Sequence, residues 1–275
     1  MRCLTVVLAQ AAVAAIVAGL VAFAPRLRGT TWTSWFTKLA WSWAGVPSGL
    51  LGWISSNWTM PVLHGPIYPV MARELDLQPG DDLLEVACGS GVFLATQAAH
   101  VHRVAGLDLS DIQVGLARRR LVDRIAAGTA EIVTGDAAAL PWEDGRFSVV
   151  ACMGSVEAFP DPGAALAEMH RVLRPGGRIV VSLGAKVADG IETHRVMGAV
   201  WVWNEDDARR LVEEAGFAEA LVSYASIGFD SRLGNLANRL MGQDEMRIVR
   251  GVKSAAKAPA QWTEEPSRVA VGATG

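Results

Sequence analysis

The chemistry-bearing residues of this chain gather around two acidic side chains a fixed distance apart. The run Leu83-Leu84-Glu85-Val86-Ala87-Cys88-Gly89-Ser90-Gly91 carries an apolar stretch into Glu85 and then into a tight glycine turn. A second apolar run, Val104-Ala105-Gly106-Leu107, ends in Asp108, the spacing of roughly 20 residues that a nucleotide site needs at the carboxyl ends of two neighbouring parallel strands. Glycines let the backbone turn sharply and approach a ligand closely, and an Asp at the second strand tip accepts hydrogen bonds from both ribose hydroxyls. A dinucleotide cradle needs a third glycine where this chain has Leu94, so a pyrophosphate is poorly supported.

The rest of the unit is ordered in the same way. A third apolar run, Ala130-Glu131-Ile132-Val133, leads to Gly135-Asp136-Ala137 and then Leu140-Pro141-Trp142. A fourth, Phe147 to Cys152, opens into Ser155-Val156-Glu157-Ala158-Phe159-Pro160-Asp161-Pro162. A helix-patterned stretch ends in Arg171-Val172-Leu173-Arg174-Pro175-Gly176-Gly177, ahead of a strand from Arg178 to Leu183. This series resembles the class I S-adenosylmethionine-dependent methyltransferases, in the branch that includes ubiquinone/menaquinone C-methyltransferases and small-molecule or lipid methyltransferases. The resemblance runs from Pro61 to Lys253. Three positions depart from the family pattern: Ala87 stands at a usual glycine, Ser148 at a usual Asp, and Glu157 at a frequent histidine.

The resemblance implies S-adenosylmethionine as the donor and assigns roles residue by residue. Glu85, Gly89, Ser90 and Gly91 line its methionine and ribose side. Asp108 holds the ribose and Leu109 packs beside the adenine. Asp136 meets the exocyclic amine, Ala137 offers a backbone contact, and Met153 lies below the reactive methyl. The sulfonium already activates that methyl, so the protein has chiefly to align a nucleophile and exclude water. An oxygen acceptor wants a general base, whereas a ring carbon needs only positioning and loss of a phenolic proton. His64 and Tyr68, ahead of the helix that closes over the cofactor in this family, are the first candidates. Glu157 in the loop facing the acceptor pocket is a third, and His194 is a weaker one. His100, His102 and His170 read as surface or helix-end residues.

The elements that must position these groups alternate between strand and helix, which implies a parallel sheet covered on both faces. Helices are expected from Ile67 to Leu75, Val92 to Ala99, Ile112 to Ala126, Ala164 to Leu173 and Glu205 to Ala215. Asn204 reads as the start of the last helix and Gly216 as its stop. Strands are expected from Asp82 to Ala87, Arg103 to Asp108, Ala130 to Thr134, Phe147 to Cys152, Arg178 to Leu183 and Glu219 to Ser223. One more near Met246 to Val252 completes the Rossmann-like, seven-stranded, mostly parallel α/β sheet that the resemblance implies.

Composition narrows the function. The chain of 275 residues carries a net charge of −3, which gives no basic field for nucleic acid. Cys3, Cys88 and Cys152 are odd in number and unpaired by spacing, so neither a zinc site nor a disulfide framework is indicated, and no metal is expected. From Cys3 to Ala24 the chain is uncharged and apolar, with Arg2 before it and Arg26 and Arg28 after. That length spans a bilayer as a helix. A cleaved signal peptide is the rival reading, opposed by Pro25 directly after the only small-residue site; a buried soluble helix is another.

The charge bias beyond the helix and the cytosolic donor place the catalytic portion inside. Six of the ten tryptophans (Trp32, Trp35, Trp41, Trp43, Trp53 and Trp58) suit an interfacial segment, though packing onto the catalytic domain or a second crossing are alternatives. The expected organisation is thus a transmembrane anchor over 1–29, a Trp-rich interfacial segment over 30–60, the methyltransferase domain over 61–253 and a disordered tail over 254–275. The expected acceptor is a hydrophobic, membrane-associated small molecule or lipid. The rivals are a non-catalytic binding or assembly protein that keeps the fold, and a nicotinamide-dependent reductase.

Overall fold

The computed structural model describes residues 52–53, 56–57, 65–183, 203–226 and 245–254. The expected transmembrane stretch from Cys3 to Ala24, most of the Trp-rich segment, His64, His194 and nearly all of the tail lie outside these residues. Among the described residues no helix is long and apolar enough to cross a membrane.

Seven strands form one sheet: β1 (Asp82–Val86), β2 (Arg103–Asp108), β3 (Ala130–Thr134), β4 (Phe147–Met153), β5 (Leu173–Leu183), β6 (Ala218–Ser226) and β7 (Glu245–Val252). Their order is β3-β2-β1-β4-β5-β7-β6. The first five neighbours are parallel, and β7 runs antiparallel to both β5 and β6. The central strands bury nearly every residue: β4 is buried throughout, and β1 and β2 expose only their ends. Near-continuous burial is what a parallel sheet covered on both faces requires. Two apolar layers result, one around Leu84, Val86, Trp142, Phe147 and Leu166, the other around Met71, Leu75, Phe93, Leu94 and Val149.

The helices are α1 (Tyr68–Leu75), α2 (Val92–Gln97), α3 (Asp111–Arg120), α4 (Val122–Ala126), α5 (Pro162–Val172) and α6 (Glu205–Glu214). Short polar side chains start three of them by accepting a backbone N–H of the first turn: Ser110 from Gln113, Asp161 from Ala164 and Asn204 from Asp207, as N-caps do. Chain order reverses between β1 and β4, so the crevice above their carboxyl ends is the natural ligand position in such a sheet.

Two expectations need correction. The single helix from Ile112 to Ala126 is two, broken at Leu121 (φ −107°, ψ 18°), whose side chain turns into the core and is 2% exposed. Strand β5 begins at Leu173 instead of Arg178, because Leu173 pairs with Phe147 and the pairing then shifts register to Val149–Arg178. The Pro175-Gly176-Gly177 stretch forms the bulge. A Cβ on Gly177 would lie 2.8 Å from the Arg174 carbonyl oxygen and 3.0 Å from that of Ser148, so glycine is required there.

Ser148 also has a definite task. Its hydroxyl donates to Asp81 Oδ1 (2.7 Å) and accepts the Asp82 N–H (2.9 Å). Asp81 is further held by Arg178 Nη2 (2.7 Å) and the Gln78 N–H (2.8 Å). Burial would raise this carboxyl, but those hydrogen bonds outweigh it and hold Asp81 below its usual range. Arg178 Nε also donates to the Leu75 carbonyl (2.6 Å). The network ties the end of α1 to the foot of the sheet.

Candidate functional site

The site is built at the tips of β1, β2 and β4. Glu85 lies one residue from the end of β1 and is 3% exposed. One carboxylate oxygen, Oε2, is enclosed and has no hydrogen-bond partner among the described residues. Burial, then the charge of Asp108, pushes its carboxyl well above the usual carboxylate range, against a hydrogen bond from the Leu94 backbone. A buried acceptor left open at the rim of a crevice fits a ligand's cationic group.

Beyond Glu85 the chain turns through residues with positive φ: Ala87 (58°), Gly89 (54°) and Gly91 (71°). At Gly91 the requirement is also steric, since a Cβ would lie 2.7 Å from the Ala117 Cβ. Asp108 closes the turn from β2. Its Oδ2 accepts the Gly89 N–H (2.8 Å) and its Oδ1 the Ser110 N–H (2.9 Å). Burial raises its pKa and these two N–H groups oppose the rise. Each oxygen keeps a free lone pair, enough for both hydroxyls of a ribose.

The remaining expected donor contacts border the same crevice. Leu109 follows Asp108 and is 58% exposed, an apolar surface open to an adenine face. The Gly135 N–H donates to the Asp108 carbonyl (3.0 Å), which sets the β3 loop against the β2 tip. There Asp136 is exposed, its Oδ1 accepting the Ala138 N–H (2.9 Å), and Ala137 is buried. Ser90 is 7% exposed, and Met153 is buried at the end of β4.

Of the acceptor-side candidates, Tyr68 opens α1 with its ring 5.8 Å from that of Phe93 on α2. Burial, and secondarily the charge of Glu85, raises the phenol far above its ordinary pKa, with Arg120 opposing. The raised pKa keeps the Tyr68 phenol protonated and able to donate a hydrogen bond. Glu157 lies half-buried in the turn Val156–Ala158 after β4, and its charge helps burial to raise the Cys152 thiol. His64 lies outside the described residues. His102 pairs with Asp82 (3.1 Å), and His170 packs edge-on against Phe217 at 4.9 Å, both away from the crevice residues.

Sequence reasoning missed one face of α3. Gln113, Ala117 and Arg120 are spaced i, i+4, i+7, so they share a stripe. Each meets one residue of the glycine turn. The Gln113 amide lies 3.9 Å from where a Gly89 Cβ would be, Ala117 packs on Gly91, and Arg120 Nη1 donates to the Ser90 carbonyl (2.6 Å). The signal was present in the helical period after Asp108, once the turn is known to lie against that helix.

The fold is similar to that of solved methyltransferase structures, and residues 84–181 match the family described as "Methyltransferase domain". Among particular proteins, the chain is 42% identical over 115 residues to an uncharacterized 37.1 kDa protein in a transposon of Streptomyces fradiae, covering 41% of this chain and 32% of that one. It is 32% identical over 111 residues to a demethylmenaquinone methyltransferase of Bacillus cereus, covering 39% of this chain and 46% of that one. The chain thus spans less than half the length of these curated relatives. In structure it is similar to the putative methyltransferase complexed with the Trm112 activator of Haloferax volcanii, with TM-score 0.57, 20% identity, and 71% and 92% of the two chains covered.

Proposed function

We propose that the chain transfers a methyl group from S-adenosylmethionine to a hydrophobic, membrane-associated acceptor such as a quinone precursor, a lipid or a phenol, with residues 61–253 as the catalytic domain. The observation that carries the donor assignment is the pair of carboxylates, Glu85 buried and Asp108 part-buried, on adjacent strand tips either side of the glycine turn. One has an open oxygen for the donor's ammonium, and the other has free lone pairs for its ribose. When bound, the donor supplies a methyl group already activated on a sulfonium. The protein's task is orientation and water exclusion.

On this reading Met153 and Glu157 border the acceptor side, and Tyr68 donates a hydrogen bond near the donor's methionine end. The relative that acts on demethylmenaquinone, the uncharged run from Cys3 to Ala24 and the tryptophans that follow it support an acceptor held in the bilayer. The run would be a single anchor, with the catalytic domain on the cytoplasmic side.

Calorimetric titration of the detergent-solubilised protein with S-adenosylmethionine, S-adenosylhomocysteine and NADH tests the donor. Micromolar binding of the first two without NADH is the expected result; no adenosyl binding favours a scaffold role, and binding of NADH alone overturns the reading. Removing residues 1–29 tests the anchor: the shortened protein should leave the membrane fraction.

A further inference from the structure

Arg247 on β7 is 6% exposed and is the only buried arginine among the described residues. Its Nη1 donates to the Trp203 carbonyl, and its guanidinium lies 5.6 Å from the centre of the Tyr224 ring. Its Nε is enclosed without a hydrogen-bond partner, and no carboxylate pairs with it among the described residues. Glu205, on the same cluster, is already taken: its Oε1 accepts Arg209 (3.2 Å) and its Oε2 accepts the Tyr224 hydroxyl (3.2 Å). The cluster thus holds two guanidiniums and one carboxylate. A carbonyl and a ring face attract a cation but do not cancel its charge. Arginine is almost never buried this far without a counter-charge, and an uncompensated buried charge is strongly destabilising. The arginines that tie other elements together do bring carboxylates, Arg178 to Asp81 (2.7 Å) and Arg171 to Glu168 (2.6 Å) and Asp144 (2.8 Å).

The sheet register places this cation. Met153 pairs with Ser182, Ser182 with Ile248, and Leu183 with Arg247, which faces Tyr224 across β6. Arg247 therefore stands one row beyond the tip of β4 and two strands across, about 10 Å away. That is the carboxyl edge of the sheet, on the side where Met153 and Glu157 border the acceptor. Cross-strand partners share a face, so Leu183 and Tyr224 flank the guanidinium with apolar and aromatic surface. A planar guanidinium fork matches the paired oxygens of a carboxylate or phosphate. We infer that Arg247 is an acceptor-binding residue and that the acceptor is an amphiphilic acid, its carboxylate or phosphate paired with this guanidinium and its apolar body lying toward Met153. The inference rests on the proposed methyl transfer from S-adenosylmethionine.

The experiment incubates the full chain in detergent with methyl-labelled S-adenosylmethionine and an extract of lipids and small molecules from the cells that encode it. The labelled product is then passed over an anion exchanger at neutral pH. It should be retained; phosphatase treatment releases it if the acid is a phosphate monoester and leaves it bound if the acid is a carboxylate, and either result supports the inference. Arg247→Met keeps the apolar stem without the charge, and Arg247→Lys keeps the charge without the fork. In dilutions of the anionic fraction, Arg247→Met should raise the apparent KM about 10- to 100-fold, the range for one charge-assisted pair, and labelling should recover as the fraction is concentrated. Arg247→Lys should fall between it and the parent. The melting temperature of Arg247→Met should be unchanged or higher, since a buried charge is gone, and its affinity for S-adenosylhomocysteine should be unchanged. A neutral labelled product overturns the inference, as does an unchanged KM in Arg247→Met. So does a loss of labelling in step with a lower melting temperature and weaker S-adenosylhomocysteine binding, which would mark a tether from β7 to α6. If the unsubstituted protein labels nothing, the methyl-transfer reading falls as well; if its product is neutral, only this inference falls.

Discussion

Ala87 and Gly91 occupy the same region of backbone space, φ 58° and 71°, yet only one of them is glycine. An L-residue with a side chain loses about 1–2 kcal/mol there, because its Cβ crowds the following carbonyl. Ala87→Gly removes that strain but restores about 0.4–1 kcal/mol of conformational freedom to the unfolded chain. The net should be stabilisation by about 0.5–1 kcal/mol, or about 1–4 °C in melting temperature for a protein of this size. Gly91→Ala has the opposite sign and a larger size. It incurs the same strain, and its new methyl would lie 2.7 Å from the Ala117 Cβ and 3.0 Å from the Ala117 Cα, so α3 itself must move. Overpacking of that kind adds about 1–3 kcal/mol, for a total of about 2–5 kcal/mol of destabilisation. Urea unfolding followed by tryptophan fluorescence reports both, since Trp142 is 8% exposed and packs edge-on against Phe147. The reasoning fails if Ala87→Gly is destabilising, or if Gly91→Ala costs no more than about 1 kcal/mol.

Asp108→Ala should abolish S-adenosylhomocysteine binding in calorimetry while the circular dichroism spectrum stays native; retained affinity would remove the ribose assignment. Ser148→Ala leaves Asp81 Oδ1 and the Asp82 N–H each short of a partner, so denaturant titration should show a loss of about 1–3 kcal/mol with donor affinity unchanged. Glu85 has a raised pKa in the folded state, so its contribution to stability is full below the ordinary carboxylate range and is lost as pH rises through the folded value. Glu85→Gln should therefore melt near the parent at pH 4 and above it at pH 8, yet bind S-adenosylhomocysteine more weakly, as melting curves and titrations across pH would show.

Strands β2 and β3 run over the residues their apolar runs mark out; β2 does so because a strand buried on both faces leaves an unbroken hydrophobic signature between polar ends, while β3, at the sheet edge, buries only Ile132. Glu85 and Asp108 were legible for a different reason: an acidic residue ending an apolar run has little structural purpose, so it points to a ligand. The break at Leu121 carries no such mark. No proline or glycine stands there, and the chain bends because the Leu121 side chain is drawn into the core beneath α3. The start of β5 was hidden by Pro175-Gly176-Gly177, which reads as a turn locally but serves as a bulge once Phe147 pairs with Leu173. Gln113 and Arg120 stayed invisible because their roles depend on which neighbour faces α3.

The two acidic residues of the crevice share one physical property: desolvation raises the pKa of each. Glu85 is buried with an open oxygen, Asp108 is part-buried beside it at a raised pKa, and Gln113 Oε1 is enclosed with no hydrogen-bond partner among the described residues. The foot of the same sheet shows the alternative, for there Asp81 is as buried as Glu85 but is satisfied by Arg178, Ser148 and Gln78, and its pKa is lowered. The protein can therefore neutralise a buried carboxylate where the fold needs it. At the β1 tip and on the helix face above it, Glu85 Oε2 and Gln113 Oε1 are instead left without hydrogen-bond partners among the described residues, where a bound ligand's donors would complete them.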